Sequence, residues 1–262
     1  MEAAGQRQTT DIWTAAALGA LAYIADDLTH EVLGHGLTAC FVPGILPVSL
    51  STVGLSTDGT SQLVALAGPM LNVLVGCAAL GIFQRRKGLG LAGCFLWLFG
   101  TLNLFNGFGY GLFSGFLDFG DLAVVISGLN PHFFYRGLII VVGAIGYGLT
   151  LRYSTQVLAD RINEQGVPSA EVVRLTLPAY VTGGALFLLG SMLNPIPSLV
   201  LLSGLSSGFA CMAGLLWIPA LVKARASDFG NAVAIERSWP LILGGVVCAS
   251  LFVGVLGPGI SL

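Results

Sequence analysis

Two aspartates, one glutamate and two histidines fall within ten positions: Asp26, Asp27, His30, Glu31 and His35. Imidazole and carboxylate are the side chains that grip a divalent cation such as zinc. A glutamate directly after a histidine ligand is placed to act as general base, as in the metal-binding string H-E-x-x-H. Here the string is His30-Glu31-Val32-Leu33-Gly34-His35, one residue too long. In a regular α-helix that spacing sets the two rings about 140° apart, too far for one ion. A single π-type turn absorbs the extra residue and brings His30 and His35 to one face, and Gly34 inside the turn eases it. A competing register needs no distortion: Asp27, Glu31 and His35 lie four apart on one helical face, with His30 beside Asp26. The plainest alternative is that these polar groups only satisfy one another inside a bundle.

The elements that must carry this chemistry belong to a membrane. The chain has 262 residues, 55% hydrophobic and 9% charged, with mean hydropathy +0.87. A soluble domain carries about a quarter charged residues. The acidic girdle lies in an apolar segment, Ile12 to Val42, whose two halves are each too short to cross a bilayer. An ionisable group at mid-span costs roughly 2.5–3.5 kcal/mol on insertion scales, so a cluster of them needs a partner, and a metal fits best. Apolar spans are read at 12–41, 61–83, 89–127, 134–152, 174–194, 197–222 and 239–258. The fold expected is all-α: a polytopic transmembrane helical bundle of about seven spans. The third span is expected to be discontinuous, helical to about Phe105 and irregular near Gly107–Gly120. Segment 42–60 reads as a short hairpin or a loop dipping toward the site, and 153–173 as a polar connector or an amphipathic helix on the surface. With seven spans, Arg7, Arg85, Arg86, Lys87, Arg152, Arg161, Arg174, Lys223, Arg225 and Arg237 share one side, with Arg136 opposite. The positive-inside rule then predicts a cytoplasmic N-terminus. The first apolar run has no persuasive leader cleavage site. The five cysteines are scattered without a C-x-x-C pair and read as small buried hydrophobes.

Further candidates follow the girdle. Ala67-Gly68-Pro69-Met70-Leu71-Asn72 allows a bend and a close neighbour, and Asn72 adds a buried amide at the same end of its span as His35. A zinc site made by two histidines needs a third protein ligand. Asp118 and Asp121 are the only acids in the glycine-rich third span; Asp121 is favoured, with Asp118 as the alternative ligand or its orienting partner. Asp26 and Asp27 are further alternatives. Asn103 and Asn106, with Asn72, are candidate polar contacts to substrate or a developing oxyanion. His132 reads as an ordinary interfacial histidine.

Taken together, His30-Glu31…Gly34-His35, the Ala-Gly-Pro-x-x-Asn match at Ala67–Asn72 and an Asn-rich third span ending near Asp121 resemble the site-2 protease family of intramembrane zinc metalloproteases. The resemblance covers roughly the first half of the chain. It implies a three-span catalytic core over residues 1–128, with His30, His35 and Asp121 on zinc and Glu31 as the base. Residues 129–262 are then additional transmembrane helices without an assignable motif. The sequence departs from the family in its histidine spacing, in having Gly-Asp where the family has Asp-Gly, and in having no PDZ domain. It also departs in placing the site nearer the non-cytoplasmic face.

The function expected is hydrolysis of peptide bonds in a membrane-spanning protein substrate within the lipid bilayer, with no nucleic-acid partner. Two alternatives stand beside it: a non-proteolytic multi-pass protein (transporter, scaffold or inactive relative), and a membrane zinc hydrolase acting on lipid.

Overall fold

A computed structural model describes residues 9–196, 198–226 and 232–262 of the protein; Arg7 and Pro197 lie outside the described residues. The architecture is an all-α bundle. Helix α1 (Ile12–Leu28) starts at an aspartate cap, Asp11, whose Oδ1 accepts from the N–H and the hydroxyl of Thr14. It runs into a π-helical stretch, Thr29–Gly36, and then α2 (Leu37–Phe41). The chain is therefore helical from residue 12 to residue 41, and the extra residue between the histidines is absorbed as the spacing predicts. Segment 42–60 forms the hairpin β1 (Leu46–Ser51) and β2 (Gly54–Asp58), antiparallel with Leu50 opposite Leu55. Helix α3 (Gln62–Arg85) follows, capped by Ser61 and carrying Pro69 inside it.

Helix α4 (Gly90–Leu117) corrects the expected break near Phe105, because it stays helical through every glycine from Gly107 to Gly115. An unpaired backbone group in hydrocarbon costs several kcal/mol, which keeps the ladder intact. The glycines serve contact instead. A side chain on Gly111 would strike the backbone of Gly143, 3.0 Å from its Cα, so α4 and α6 meet backbone to backbone. The discontinuity comes later, at Asp118 (φ 53°) and Gly120 (φ 83°), before the short helix α5 (Asp121–Val125).

Helix α6 (His132–Gln165) is longer than its expected span, since 153–165 continue it rather than forming a separate connector. Its polar-looking end is buried through Ser154, Thr155, Leu158 and Ile162, and the Trp97 indole donates to the Ser154 carbonyl. Helix α7 (Ala170–Met192) precedes a second π-helical stretch, Val200–Ala210, which leads through one 3₁₀ turn into α8 (Gly214–Lys223). Helix α9 (Trp239–Leu251) ends in a π-helical turn, Phe252–Leu256, and β3 (Ile260–Ser261) adds to the other edge of β1. The sheet order is β2-β1-β3.

Among the described residues six helices are long and apolar enough to cross a bilayer, α3, α4, α6 and α7 among them, and the protein is a multi-pass membrane protein. The core gathers Tyr23, Leu80, Phe83, Trp97, Leu102, Phe105, Leu175, Met212 and Leu215. Residues from both halves contribute, so the first three spans are not packed apart from the rest.

Candidate metal centre

His30 and His35 both lie in the π-helical stretch, buried, with ring centroids 4.7 Å apart and planes at 82°. The π turn thus cancels the angular offset that a regular helix would impose. The close neighbour that makes room is α3. Gly34 packs on Gly68, where a Cβ on Gly34 would lie 2.6 Å from the Gly68 Cα. A Cβ on Gly68 would in turn stand 2.5 Å from Nε2 of His35 and 2.8 Å from Nε2 of His30. Only glycine fits at 68 without pushing the rings. Pro69 has no N–H to donate, which leaves the Ala65 carbonyl without its helical donor beside the cleft.

Asp121, delivered by the left-handed turn after α4, completes the group. Its Oδ2 lies 2.9 Å from Nε2 of His30 and 3.4 Å from Nε2 of His35. One ligand atom from each of the three residues fits within 4.8 Å. Zinc bonds to nitrogen and carboxylate oxygen run about 2.0–2.2 Å, which sets tetrahedral ligand atoms roughly 3.3–3.5 Å apart. The donor set therefore suits a metal ion. The other ring nitrogens agree. His30 Nδ1 faces Oδ1 of Asn72 at 2.5 Å, and His35 Nδ1 faces the Val64 carbonyl at 2.7 Å. Both partners accept from an Nδ1–H, the tautomer that frees Nε2 for an ion, and Asp121 presents an acceptor to both Nε2 atoms.

Glu31 stands beside this group rather than in it. Its Oε1 is 4.0 Å from Nε2 of His30, while its Oε2 accepts from the Leu55 N–H of β2 at 2.7 Å. A cavity of about 260 Å³ opens here, lined by Glu31, His35, Leu55, Tyr110, Asp121 and Ser203 among others. Tyr110, Leu55 and Ser203 were not legible as site residues. Tyr110 stacks on His30, centroids 4.7 Å apart and 23° between planes. An isolated tyrosine in an apolar helix carries no spacing signal that would single it out.

Several expectations are corrected. The regular-helix set fails, because Asp27 does not join His35 and Asp121 in the ligand group; Asp27 is buried with its Oδ2 unpartnered. Asp118 is no ligand either. Its left-handed backbone turns it outward, where it accepts from His132 at 3.0 Å and pairs with Arg136 at 3.6 Å. His132 accordingly helps to fix the turn that carries Asp121. Asn72, Asn103 and Asn106 are not among the cavity-lining residues, so they are not placed as substrate or oxyanion contacts. They sit beneath the histidines around Asp26.

Comparison of the chain with family models, with curated proteins and with solved structures gave no match.

Proposed function

We propose that this protein is an intramembrane metalloprotease that uses zinc. The observation that carries the reading is the convergence of Asp121 Oδ2 on the Nε2 atoms of two imidazoles whose Nδ1 atoms face acceptors, one glutamate away from a cavity. His30, His35 and Asp121 would hold the ion. When bound, zinc supplies Lewis acidity that makes a water acidic near neutral pH and polarises a carbonyl.

The chain's own residues supply the rest. The Leu55 N–H holds one oxygen of Glu31, leaving Oε1 directed at the ligand group. Glu31 takes a proton from the attacking water as its oxygen adds to the peptide carbonyl carbon. When the C–N bond breaks, Glu31 returns that proton to the departing nitrogen. A substrate helix hides its carbonyls and must unwind to be cut. Strand β2 ends the sheet on its cavity side, so an extended segment can pair with it there, as other peptides join exposed sheet edges. Arg174 and Arg237 meet Thr10 and Asp11 at the start of α1, and basic residues on that face favour a cytoplasmic N-terminus with the site opening nearer the other face.

The test is metal analysis of purified protein with cleavage of reconstituted transmembrane peptides, wild type against Glu31→Gln. One zinc per chain in both, and cleavage only in wild type, is expected. A metal-free wild type, or undiminished cleavage by Glu31→Gln, overturns the reading.

A further inference from the structure

The two histidines obtain their Nδ1 acceptors in different ways. His35 uses the Val64 carbonyl, a backbone group whose polarity cannot change. His30 uses a side-chain amide, Asn72, that could in principle turn over and offer its NH₂ instead. Turned over, it would donate to Nδ1, move the ring proton to Nε2 and remove the lone pair that a metal needs. Something must keep Asn72 facing the right way.

That something lies one layer deeper. The Asn72 Nδ2 donates to Oδ1 of Asp26 at 2.8 Å and to Oδ1 of Asn103 at 2.9 Å. Asn103 is itself fixed, since its Nδ2 donates to the Phe99 carbonyl at 2.9 Å. The second Asp26 oxygen accepts from Nδ2 of Asn106 at 2.9 Å. Asp26, Asn72 and Asn103 are fully buried, so water cannot substitute for any of these partners, and an unpaired amide N–H here is costly. Both protons of the Asn72 amide are used below, which leaves its oxygen for His30.

We infer that Asp26 and Asn103 are positioning residues that lock the Asn72 amide, and through it the tautomer of His30, so that its Nε2 is kept ready for the metal. This rests on the metal reading of the site above. It predicts that hydrogen-bond polarity at Asp26, rather than its charge, is what matters. Asp26→Asn can keep an oxygen toward Asn72 and offer an N–H toward Asn106. Asn106 can answer by turning, because its Oδ1 has no partner. Asp26→Leu combined with Asn103→Leu removes both acceptors and frees the amide to flip.

The experiment is ¹⁵N NMR of the histidine side chains with the rings neutral in metal-free Asp121→Ala protein, where no carboxylate faces Nε2, together with zinc titration of the protein that keeps Asp121. In the Asp121→Ala background His30 and His35 are both expected as Nδ1–H tautomers. In the double leucine variant His30 alone is expected to move to Nε2–H, with zinc affinity reduced about 10- to 100-fold. His35, held by Val64, stays unchanged and reports that the fold is intact. Asp26→Asn, which keeps an acceptor toward Asn72, is expected to lose less than the roughly 10-fold at the lower end of that range. An Nε2–H tautomer of His30 in the Asp121→Ala protein overturns the inference, and so does a double leucine variant with unchanged tautomer and affinity. A loss in Asp26→Asn equal to that of the double variant overturns it as well. The tautomer is read without metal, so a protein with the expected tautomers whose Asp121-containing form binds no zinc would sink the protease reading and leave the lock standing.

Discussion

The N–H of Leu55 donates to Oε2 of Glu31 at 2.7 Å, joining the edge strand of the hairpin to the π-helical stretch 24 residues before it. This bond fixes where the proposed base points. Shortening the side chain by one methylene, in Glu31→Asp, keeps the carboxylate but withdraws it from Leu55. Turnover is expected to fall about 100-fold, the scale of a 1 Å misplacement. Zinc content should stay at one per chain, which elemental analysis checks.

The extra residue between the histidines is tolerated because a π turn absorbs it. Deleting Leu33, whose side chain is exposed on the bundle's outer surface, should restore i,i+4 spacing in a regular helix. Zinc binding is expected to survive. Inserting an alanine after Leu33 should abolish it, because the helix would have to accommodate two surplus residues. Stoichiometry by metal analysis separates the two outcomes.

Gly68 packs against the Nε2 atoms of both His30 and His35. In Gly68→Ala a methyl would press on both rings within a sub-van-der-Waals distance. The expected result is a loss of zinc affinity of about 100-fold or more, with the helical content unchanged by circular dichroism. Rotating both rings away costs an orienting bond at each, and loss of one orienting partner alone costs 10- to 100-fold.

Metal removal should loosen the bundle from one end. The ligands come from two separate chain regions, the first helical segment and the turn before α5. An ion held at 100 times its Kd adds about 2.7 kcal/mol to folding stability. Chelation should therefore lower the melting temperature of wild type. It should leave that of His35→Ala unmoved, as differential scanning of detergent-solubilised protein would show.

At the opposite face, Asp11 caps α1 and meets Arg237 at 2.9 Å. Burial alone would raise its pKa, but the bonds from Thr14 and the Arg237 guanidinium outweigh it and hold the carboxyl below its ordinary 3.8. A carboxyl lowered on folding stabilises the folded state above its ordinary pKa. That contribution fades as pH falls through the folded-state value. Asp11→Asn should thus be less stable than wild type near neutral pH, and the difference should shrink in strong acid. Thermal melts across pH check both.

Much of the fold was legible because lipid leaves a chain few choices. Long apolar runs must be helices, and the span edges at 62, 90 and 239 follow from where polarity changes. The break in the third span was misplaced because glycine is read as a helix breaker, whereas in a bundle it is also the residue that lets helices touch, as Gly111 and Gly143 do. Residues 153–165 looked like a connector because polar side chains are read as solvated, but Ser154 meets Trp97 and Thr101 of α4 and Thr155 is buried. At the site, His30, Glu31, His35 and Asp121 were legible from residue type and spacing. Asn103 and Asn106 were legible as polar groups in an apolar span, but the structure sets them on Asn72 and Asp26 rather than on the cavity.

The sequence by itself determined a multi-pass helical protein and the residues able to bind a metal, because composition limits the solvent and side-chain chemistry limits the ligands. Only the tertiary structure decided that five-residue spacing converges, since that depends on a π turn seated on Gly68. It brought Asp121, already the favoured candidate, to the histidines, because the left-handed backbone at Asp118 sends one carboxylate outward and the next inward. And it alone placed the hairpin's Leu55 on Glu31 and Asp26 beneath Asn72, contacts between distant segments whose geometry no local pattern encodes.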